Sequence, residues 1–406
     1  MYLSYFDKFY DMEPYLFIDE EEWDYIKKTF DKQDVRESLA KVAMSYPPPY
    51  MDITEKDALK QLQKLKGMRH NEILVEGEWF AREGTEYRYD LTFEGKQQYF
   101  KRNNTGNDAS NYFQQKNRWS VDGTIAPGPH RTWESHKFMT TLIGSAYSLK
   151  LPKIDKSAFR VMIGLRKYIC SQFKPNIAKV LYDKLESKSI LDFSAGWGDR
   201  LAGFYASETG EFYLGIDPRK ENHPIYEEQK WFYEKHRTMF EVNKRSLMIE
   251  SPAEDFEYKE NMYDTVFTSP PYFNVERYSY DDTQSWVRYK DIDSWNKNFL
   301  QKSIKKIWPS IKSGGYLLVN IADVFARTAG ERNMVEICNP MNDFISTFSD
   351  SEYQGCIGME MAKRPNSGGA GMARASDERF QDSTIQKAEE TKDKRFCEPI
   401  WIWRKL

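Results

Sequence analysis

Short apolar runs alternate with longer amphipathic stretches along the second half of the chain. The apolar runs, which we predict to be strands, cover residues 190–193, 212–217, 246–249, 263–268, 316–321, 356–361 and 399–403. Helical periodicity lies between them, for example over residues 200–206, 224–240 and 295–308. Strands that alternate with helices build βαβ units and a parallel sheet. The pattern therefore predicts an α/β fold with a doubly wound, mostly parallel, seven-stranded sheet.

The first part of the chain has weaker patterns. Residues 55–65 have leucines on one side of a predicted helix, and residues 79–99 alternate weakly, as strands do. A helical pattern over residues 157–185 leads into the first strand of the sheet. We therefore predict a mixed α+β extension over residues 1–150, with nucleic-acid recognition as a candidate role. The main domain then covers residues 151–406 and carries a long polar insert near 364–395.

Charge and cysteine content limit the kinds of partner. The formal net charge of the 406 residues is −3, so any binding to nucleic acid has to come from a local basic face. The four cysteines are scattered without Cys-x-x-Cys spacing, so we expect no zinc site, and reduced thiols indicate a cytoplasmic protein. We expect no membrane partner, because no uninterrupted apolar run is long enough to span a bilayer and the N-terminus lacks the pattern of a signal peptide.

A glycine-containing loop follows the first predicted strand. Its residues, 192–200, read Asp-Phe-Ser-Ala-Gly-Trp-Gly-Asp-Arg. Gly196 and Gly198 allow a close approach of the backbone to a ligand, and open parallel sheets bind ligands at the carboxyl ends of their strands. A phosphate-binding P-loop would need Gly-Lys-Ser/Thr, and the dinucleotide pattern would need a third glycine. Both are missing, so the loop by itself is a weak signal.

Acidic residues follow the next two strands. Asp217 ends the second strand, where a carboxylate can accept hydrogen bonds from both hydroxyls of a ribose. Glu254 and Asp255 come after the third strand, where a carboxylate could accept from an adenine amino group. Each residue alone is more often a helix cap or part of a solvated loop. Together they favour a cofactor that contains a nucleoside.

The fourth strand runs into the segment Thr268-Ser269-Pro270-Pro271-Tyr272. Two consecutive prolines fix the backbone and remove two N–H donors, so carbonyl oxygens can point into a pocket. The serine adds a side-chain acceptor, and the tyrosine offers a ring for stacking. A flipped base with an exocyclic amino group needs these parts. The alternative is an ordinary proline turn at the end of a core strand.

These motifs resemble those of the DNA amino-methyltransferases, which methylate N6 of adenine or N4 of cytosine. The resemblance covers residues 166–405 and implies a class I methyltransferase fold that binds S-adenosylmethionine, with DNA as the partner. The cofactor contacts that it implies come from Asp192, Ser194, Ala195, Gly196, Gly198, Asp217, Glu254, Asp255 and, more weakly, Phe173. The catalytic residues that it implies are Ser269, Pro270, Pro271 and Tyr272.

The family's pattern leaves the target base open. Serine at the first position of the motif is commoner among N4-cytosine enzymes, but many of those have the catalytic motif before the cofactor motif, and here the order is reversed. Three other functions also fit parts of the sequence: an RNA base amino-methyltransferase, a small-molecule methyltransferase, and a non-catalytic binding protein that keeps the fold.

Overall fold

A computed structural model describes residues 2–81, 85–124, 126–328, 331–361 and 395–406. Nearly all of the predicted insert, residues 364–394, therefore lies outside the described residues. No helix within the described ranges is both long enough and apolar enough to cross a membrane.

The helices lie mainly before the sheet and between its strands. They are α1 (Glu20–Thr29), α2 (Lys32–Ser45), α3 (Glu55–Lys66), α4 (His70–Ile73), α5 (Asn107–Trp119), α6 (Pro129–Trp133), α7 (His136–Ser148), α8 (Lys156–Arg166), α9 (Pro175–Lys184), α10 (Asp199–Ala206), α11 (His223–Lys235), α12 (Ser285–Arg288), α13 (Ile292–Trp295), α14 (Lys302–Ile307) and α15 (Cys338–Ser346). A π-helical segment, Asn296–Gln301, joins α13 to α14.

The strands confirm the predicted α/β pattern. They are β1 (Leu74–Glu76), β2 (Trp79–Phe80), β3 (Gln98–Phe100), β4 (Asp122–Gly123), β5 (Ser189–Asp192), β6 (Phe212–Asp217), β7 (Arg245–Glu250), β8 (Tyr263–Thr268), β9 (Glu276–Arg277), β10 (Ile311–Asn320), β11 (Val324–Thr328), β12 (Glu331–Val335), β13 (Ser351–Glu360) and β14 (Arg395–Lys405). Each run predicted for the sheet corresponds to one of these strands.

The order of strands across the main sheet is β1-β3-β13-β14-β10-β8-β5-β6-β7. The strands from β10 to β7 are parallel to one another, and β14 runs antiparallel to both β10 and β13. Counted from β5, the seven strands from β7 to β13 lie in the order 3-2-1-4-5-7-6, which is the class I methyltransferase arrangement. Because the order reverses between β5 and β8, the crevice for a ligand is expected at their carboxyl ends.

The first 150 residues contribute to two hydrophobic cores. Helices α1, α2, α7 and α8 pack around one core that includes Phe6, Trp23 and Leu142. The segment from α3 to α5 instead packs on α9 and α10, where Leu62 and Phe100 join the core of the main sheet. Strands β1 and β3 also extend that sheet beyond β13. The mixed α+β extension is thus built partly onto the main domain.

The helical pattern predicted over residues 157–185 is confirmed only in part. The structure has two helices, α8 and α9, separated by residues 167–174. Pro175 is the first residue of α9, and a proline there restricts the preceding residue to an extended backbone. Lys174 accordingly has φ −98° and ψ 108°, which interrupts the helical pattern.

Candidate active site at the carboxyl edge of the sheet

The loop between β5 and α10 turns sharply beside the neighbouring strand. Gly196 and Gly198 have φ values of +59° and +71°, a region that side chains disfavour. A Cβ atom on Gly198 would lie 2.6 Å from Gln229 Oε1, so both conformation and space require glycine there. The amide of Ala195 donates to the carbonyl of Ile216 at 2.9 Å, which holds the loop against β6.

Asp192 is the centre of a buried network and not an exposed ligand. Its carboxylate is fully buried and accepts from Arg200 Nε at 2.7 Å. Arg200 also donates to the carbonyl of Ser194, so the pair holds the loop at both ends. Tyr213 Oη donates to the same carboxylate at 2.7 Å. The pattern of bonds indicates that Asp192 positions the loop.

Phe173 lies directly beside this network. Its ring centroid is 5.0 Å from Arg200 Cζ and 5.5 Å from the ring centroid of Phe267. The ring therefore covers the guanidinium group that holds Asp192. This contact brings the residues before α9 to the carboxyl end of β5.

Asp217 ends β6 and faces the glycine loop. It is 8% exposed, and its carboxylate accepts from the amides of Gly196 (2.8 Å) and Arg219 (2.9 Å). Burial raises the pKa of Asp217, although these two bonds favour the charged form. A carboxylate has about four acceptor positions, so two remain for another donor.

Glu254 and Asp255, which follow β7, are held by one arginine. Arg288 Nη1 lies 2.6 Å from Glu254 Oε1 and 2.8 Å from Asp255 Oδ2. Tyr289 Oη donates to the same Glu254 oxygen at 3.1 Å. Burial raises the pKa of Glu254, whereas Arg288 holds the pKa of Asp255 below its usual range against the effect of burial. Both carboxylates are therefore bound by residues in α12 or directly after it.

The Ser-Pro-Pro-Tyr segment leaves β8 at the same edge of the sheet. Ser269 Oγ donates to Asn320 Oδ1 at 3.3 Å, and Asn320 Nδ2 donates to the carbonyl of Pro399 at 3.1 Å. The second bond orients the amide so that its oxygen faces the serine. Because the serine hydroxyl donates its hydrogen to Asn320, its lone pairs can accept hydrogen bonds from another group. Pro270 is buried behind it, and Pro271 is half-buried.

The Tyr272 ring is held at its hydroxyl end. The ring packs partly buried against the main core, and its hydroxyl donates to Glu398 Oε2 at 3.1 Å. Burial raises the pKa of Tyr272 well above its ordinary value, so the hydroxyl stays protonated and can donate. Phe273, with φ +52°, turns the chain away and packs on Trp295.

One hydrogen bond joins the two predicted halves of the site. Thr268 Oγ1, immediately before Ser269, donates to Asp192 Oδ1 at 3.1 Å. The end of the catalytic segment is therefore fixed to the carboxylate that holds the glycine loop.

Sequence reasoning missed the partners that hold the predicted residues, among them Arg200, Arg288, Asn320 and Glu398. Asn320 had a usable signal, since it is a polar residue at the carboxyl end of the predicted fifth strand. Glu398 had none, because β14 runs antiparallel and brings its first half to this edge. Within the described ranges, no group of three or more His, Cys, Asp or Glu side chains is arranged to hold a metal ion.

No family model matches the chain, and no curated protein matches it. A solved methyltransferase from Methanosarcina mazei, described as S-adenosylmethionine-dependent, is similar at 12% identity, covering 54% of this chain and 93% of that chain, with a TM-score of 0.33. A tRNA (m1A58) methyltransferase from Aquifex aeolicus is similar at 14% identity, covering 58% and 70%, with a TM-score of 0.31. A [4+2]-cyclase is similar at 10% identity, covering 57% and 81%, with a TM-score of 0.33. At these scores, none of the similarities identifies the activity of this chain.

Proposed function

We propose that the protein transfers a methyl group from S-adenosylmethionine to an exocyclic amino group of a DNA base, either N4 of cytosine or N6 of adenine. The observation that carries this proposal is the hydrogen bonding of Ser269. Its hydroxyl donates to Asn320, so its lone pairs are oriented to accept. An exocyclic amine has two hydrogens to donate, and the second acceptor would be the Pro270 carbonyl.

The residues at the carboxyl edge fit the cofactor. Asp217 has acceptor positions left for the ribose hydroxyls after it binds the amides of Gly196 and Arg219. Gly196, beside Asp217, has nothing closer than 3.8 Å to the position of a Cβ atom, so the loop leaves space there. When bound, S-adenosylmethionine supplies an electrophilic methyl group. Asp192 and Arg200 hold the loop that borders the crevice, and Phe173 covers the guanidinium group of Arg200.

The protein's part in the reaction is to place the amine. Acceptance of both amine hydrogens by Ser269 and Pro270 draws the nitrogen lone pair out of conjugation with the base ring. The Tyr272 ring supports the base, because its hydroxyl is fixed to Glu398. An aromatic face also stabilises the positive charge that develops on the nitrogen. Positioning of this kind can supply much of a rate enhancement.

The extension before residue 150 is proposed to contact the target nucleic acid. It contacts the chain two residues beyond the catalytic segment, because Thr124 Oγ1 donates to the carbonyl of Asn274 at 2.6 Å. Strand β4 also pairs with β9, just beyond Tyr272. The extension thus lies beside the residues that follow the catalytic segment, which is why we assign it the contact with nucleic acid.

The test replaces Ser269 with alanine and measures methylation of an adenine- and cytosine-containing DNA duplex. Loss of one positioned acceptor is expected to lower kcat by about 10² or more, as for other preorganised groups. Asn320→Ala should show part of that loss, because the serine hydroxyl would no longer be oriented. Ser189→Ala is the control, since Ser189 lies at the opposite end of the sheet and bonds Asp264. Full activity of Ser269→Ala would contradict the proposed role.

A further inference from the structure

Residues 278–289 follow the catalytic segment and run across the carboxyl ends of β6 and β7. We call them the crossing segment. Tyr278 begins it, and Tyr289 ends it just beyond α12. The segment is therefore connected by the chain to the Ser-Pro-Pro-Tyr motif and by contacts to the cofactor edge.

The first half of the crossing segment lies on the loop after β6. Arg219 Nε donates to the carbonyl of Tyr278 at 3.0 Å, and Thr283 Oγ1 donates to the carbonyl of Pro218 at 3.4 Å. Lys220 Nζ lies 3.6 Å from Asp281 Oδ1. Pro218 directly follows Asp217, so Thr283 is at the border of the predicted ribose site.

The second half lies on the loop after β7. Arg288 binds Glu254 and Asp255, and Tyr289 also binds Glu254, through the bonds described above. One Glu254 oxygen thus accepts from two donors of the crossing segment. This leaves Glu254 less suited than the sequence suggests to accept from an adenine amine.

Gln284 lies between these two sets of contacts. It is 4% exposed, and its Nε2 has no hydrogen-bond partner among the residues that the structure describes. Buried amide donors are nearly always paired, because an unpaired one loses its hydration without compensation. This donor has an unmet hydrogen bond, which an acceptor atom of a bound ligand would satisfy.

We propose that Gln284 Nε2 donates a hydrogen bond to a ring nitrogen of the cofactor's adenine. This inference rests on the proposed function and assigns adenine recognition within it. Asp217 would hold the ribose, and Thr283, the neighbour of Gln284, donates to the carbonyl of Pro218, which directly follows Asp217. Adenine carries acceptor nitrogens around its ring, which match an amide donor. Gln284 would then be a specificity residue that couples the catalytic segment to the cofactor.

The test measures binding of S-adenosylhomocysteine by calorimetry to the full chain and to Gln284→Leu. Loss of one buried hydrogen bond is expected to weaken binding about tenfold. The 1-deaza, 3-deaza and 7-deaza analogues then locate the acceptor. One of them should lose affinity for the wild-type protein and show little further loss for the variant. Equal losses for both proteins with every analogue would overturn the proposal.

Thermal stability separates this role from a structural one. Gln284→Leu removes a buried N–H donor that has no partner among the described residues, so the variant without ligand should be as stable as the wild-type protein or more stable. Gln301→Leu is the control, because its Nε2 already donates to the carbonyl of Pro340 at 3.2 Å. That control should lose stability and keep its affinity. A Gln284→Leu protein that binds as tightly as wild type contradicts the inference alone, whereas a wild-type protein that binds no S-adenosylhomocysteine contradicts the proposed function.

Discussion

The Arg200–Asp192 pair and the Arg88–Asp343 pair have the same chemistry and very different burial. The side chains of Arg200 and Asp192 are 4% and 0% exposed, whereas those of Arg88 and Asp343 are 59% and 48% exposed. Replacing each arginine with methionine keeps most of the aliphatic side chain and removes the charge. The comparison therefore sets a buried arginine, with its ion pair and its bond to the Ser194 carbonyl, against an exposed one.

The two arginine variants are expected to lose very different amounts of unfolding free energy. Removing one member of a buried pair leaves an uncompensated charge and typically costs about 3–5 kcal/mol. Asp192 would still accept from Tyr213, Thr268 and the amide of Ser194, so we expect the lower end, about 3 kcal/mol, for Arg200→Met. Breaking the exposed pair should cost about 0–1 kcal/mol, because water already screens both charges.

Urea unfolding followed by tryptophan fluorescence measures both costs. With a typical dependence of about 2–3 kcal/mol per molar urea, Arg200→Met should lower the midpoint by about 1–1.5 M, and Arg88→Met by about 0.5 M or less. A second variant, Arg200→Met with Asp192→Asn, should recover part of the loss by removing the stranded charge. Equal shifts for the two arginine variants would refute the assignment of Asp192 and Arg200 as the buried centre of the site.

Three further predictions concern the loop, the cofactor and the base. Gly198→Ala should destabilise the protein by about 1–3 kcal/mol, because Gly198 has a positive φ and the Gln229 side chain lies close to it. Gly164→Ala is the control and should be neutral or stabilising, because Gly164 lies in α8 with open space around it. Thermal unfolding compares the two variants, and equal effects on stability would contradict the geometry of the loop. Because burial raises the pKa of Asp217, this carboxyl should become protonated at a higher pH than an ordinary carboxyl, so affinity for S-adenosylhomocysteine should fall as the pH is lowered from neutral. Calorimetry at several pH values checks this, and Asp217→Asn should bind weakly and lose that pH dependence; an unchanged pH profile would count against it. Tyr272→Ala should lower kcat about tenfold to a hundredfold through the loss of stacking on the base. Tyr272→Phe should lower kcat less, because it loses only the hydrogen bond to Glu398. The methylation assay compares the two variants, and equal losses would favour a role for the hydroxyl over the ring.

Much of the fold could be predicted because the sheet strands are short apolar runs between helices. The runs at 212–217 and 263–268 match β6 and β8 residue for residue. The break between α8 and α9 was missed because the apolar spacing continues across it, although Pro175 carries a local signal. The pairing of β1 and β3 with the main sheet depends on contacts distant in sequence, which periodicity does not encode.

The candidate site was predictable where polar residues directly follow strands. Asp217 and Ser269 lie at the carboxyl edge for that reason. The partners that orient them could not be predicted in the same way. Glu398 reaches Tyr272 from a strand 126 positions away, and Arg288 reaches Glu254 from a segment that has no strand pattern. Gln284 is recognisable only because its burial and its missing partner are both visible in three dimensions.

The most direct test incubates the protein with methyl-labelled S-adenosylmethionine and, in parallel, DNA, RNA or no nucleic acid. Digestion to nucleosides and mass spectrometry then identify the labelled base. The account predicts label in DNA as N4-methylcytosine or N6-methyladenine, which is lost in Ser269→Ala. Label in RNA alone would show that the substrate is RNA and not DNA, while the proposed methyl transfer would still hold. Absence of label from both nucleic acids, with protein that is folded and binds S-adenosylhomocysteine, would contradict the account.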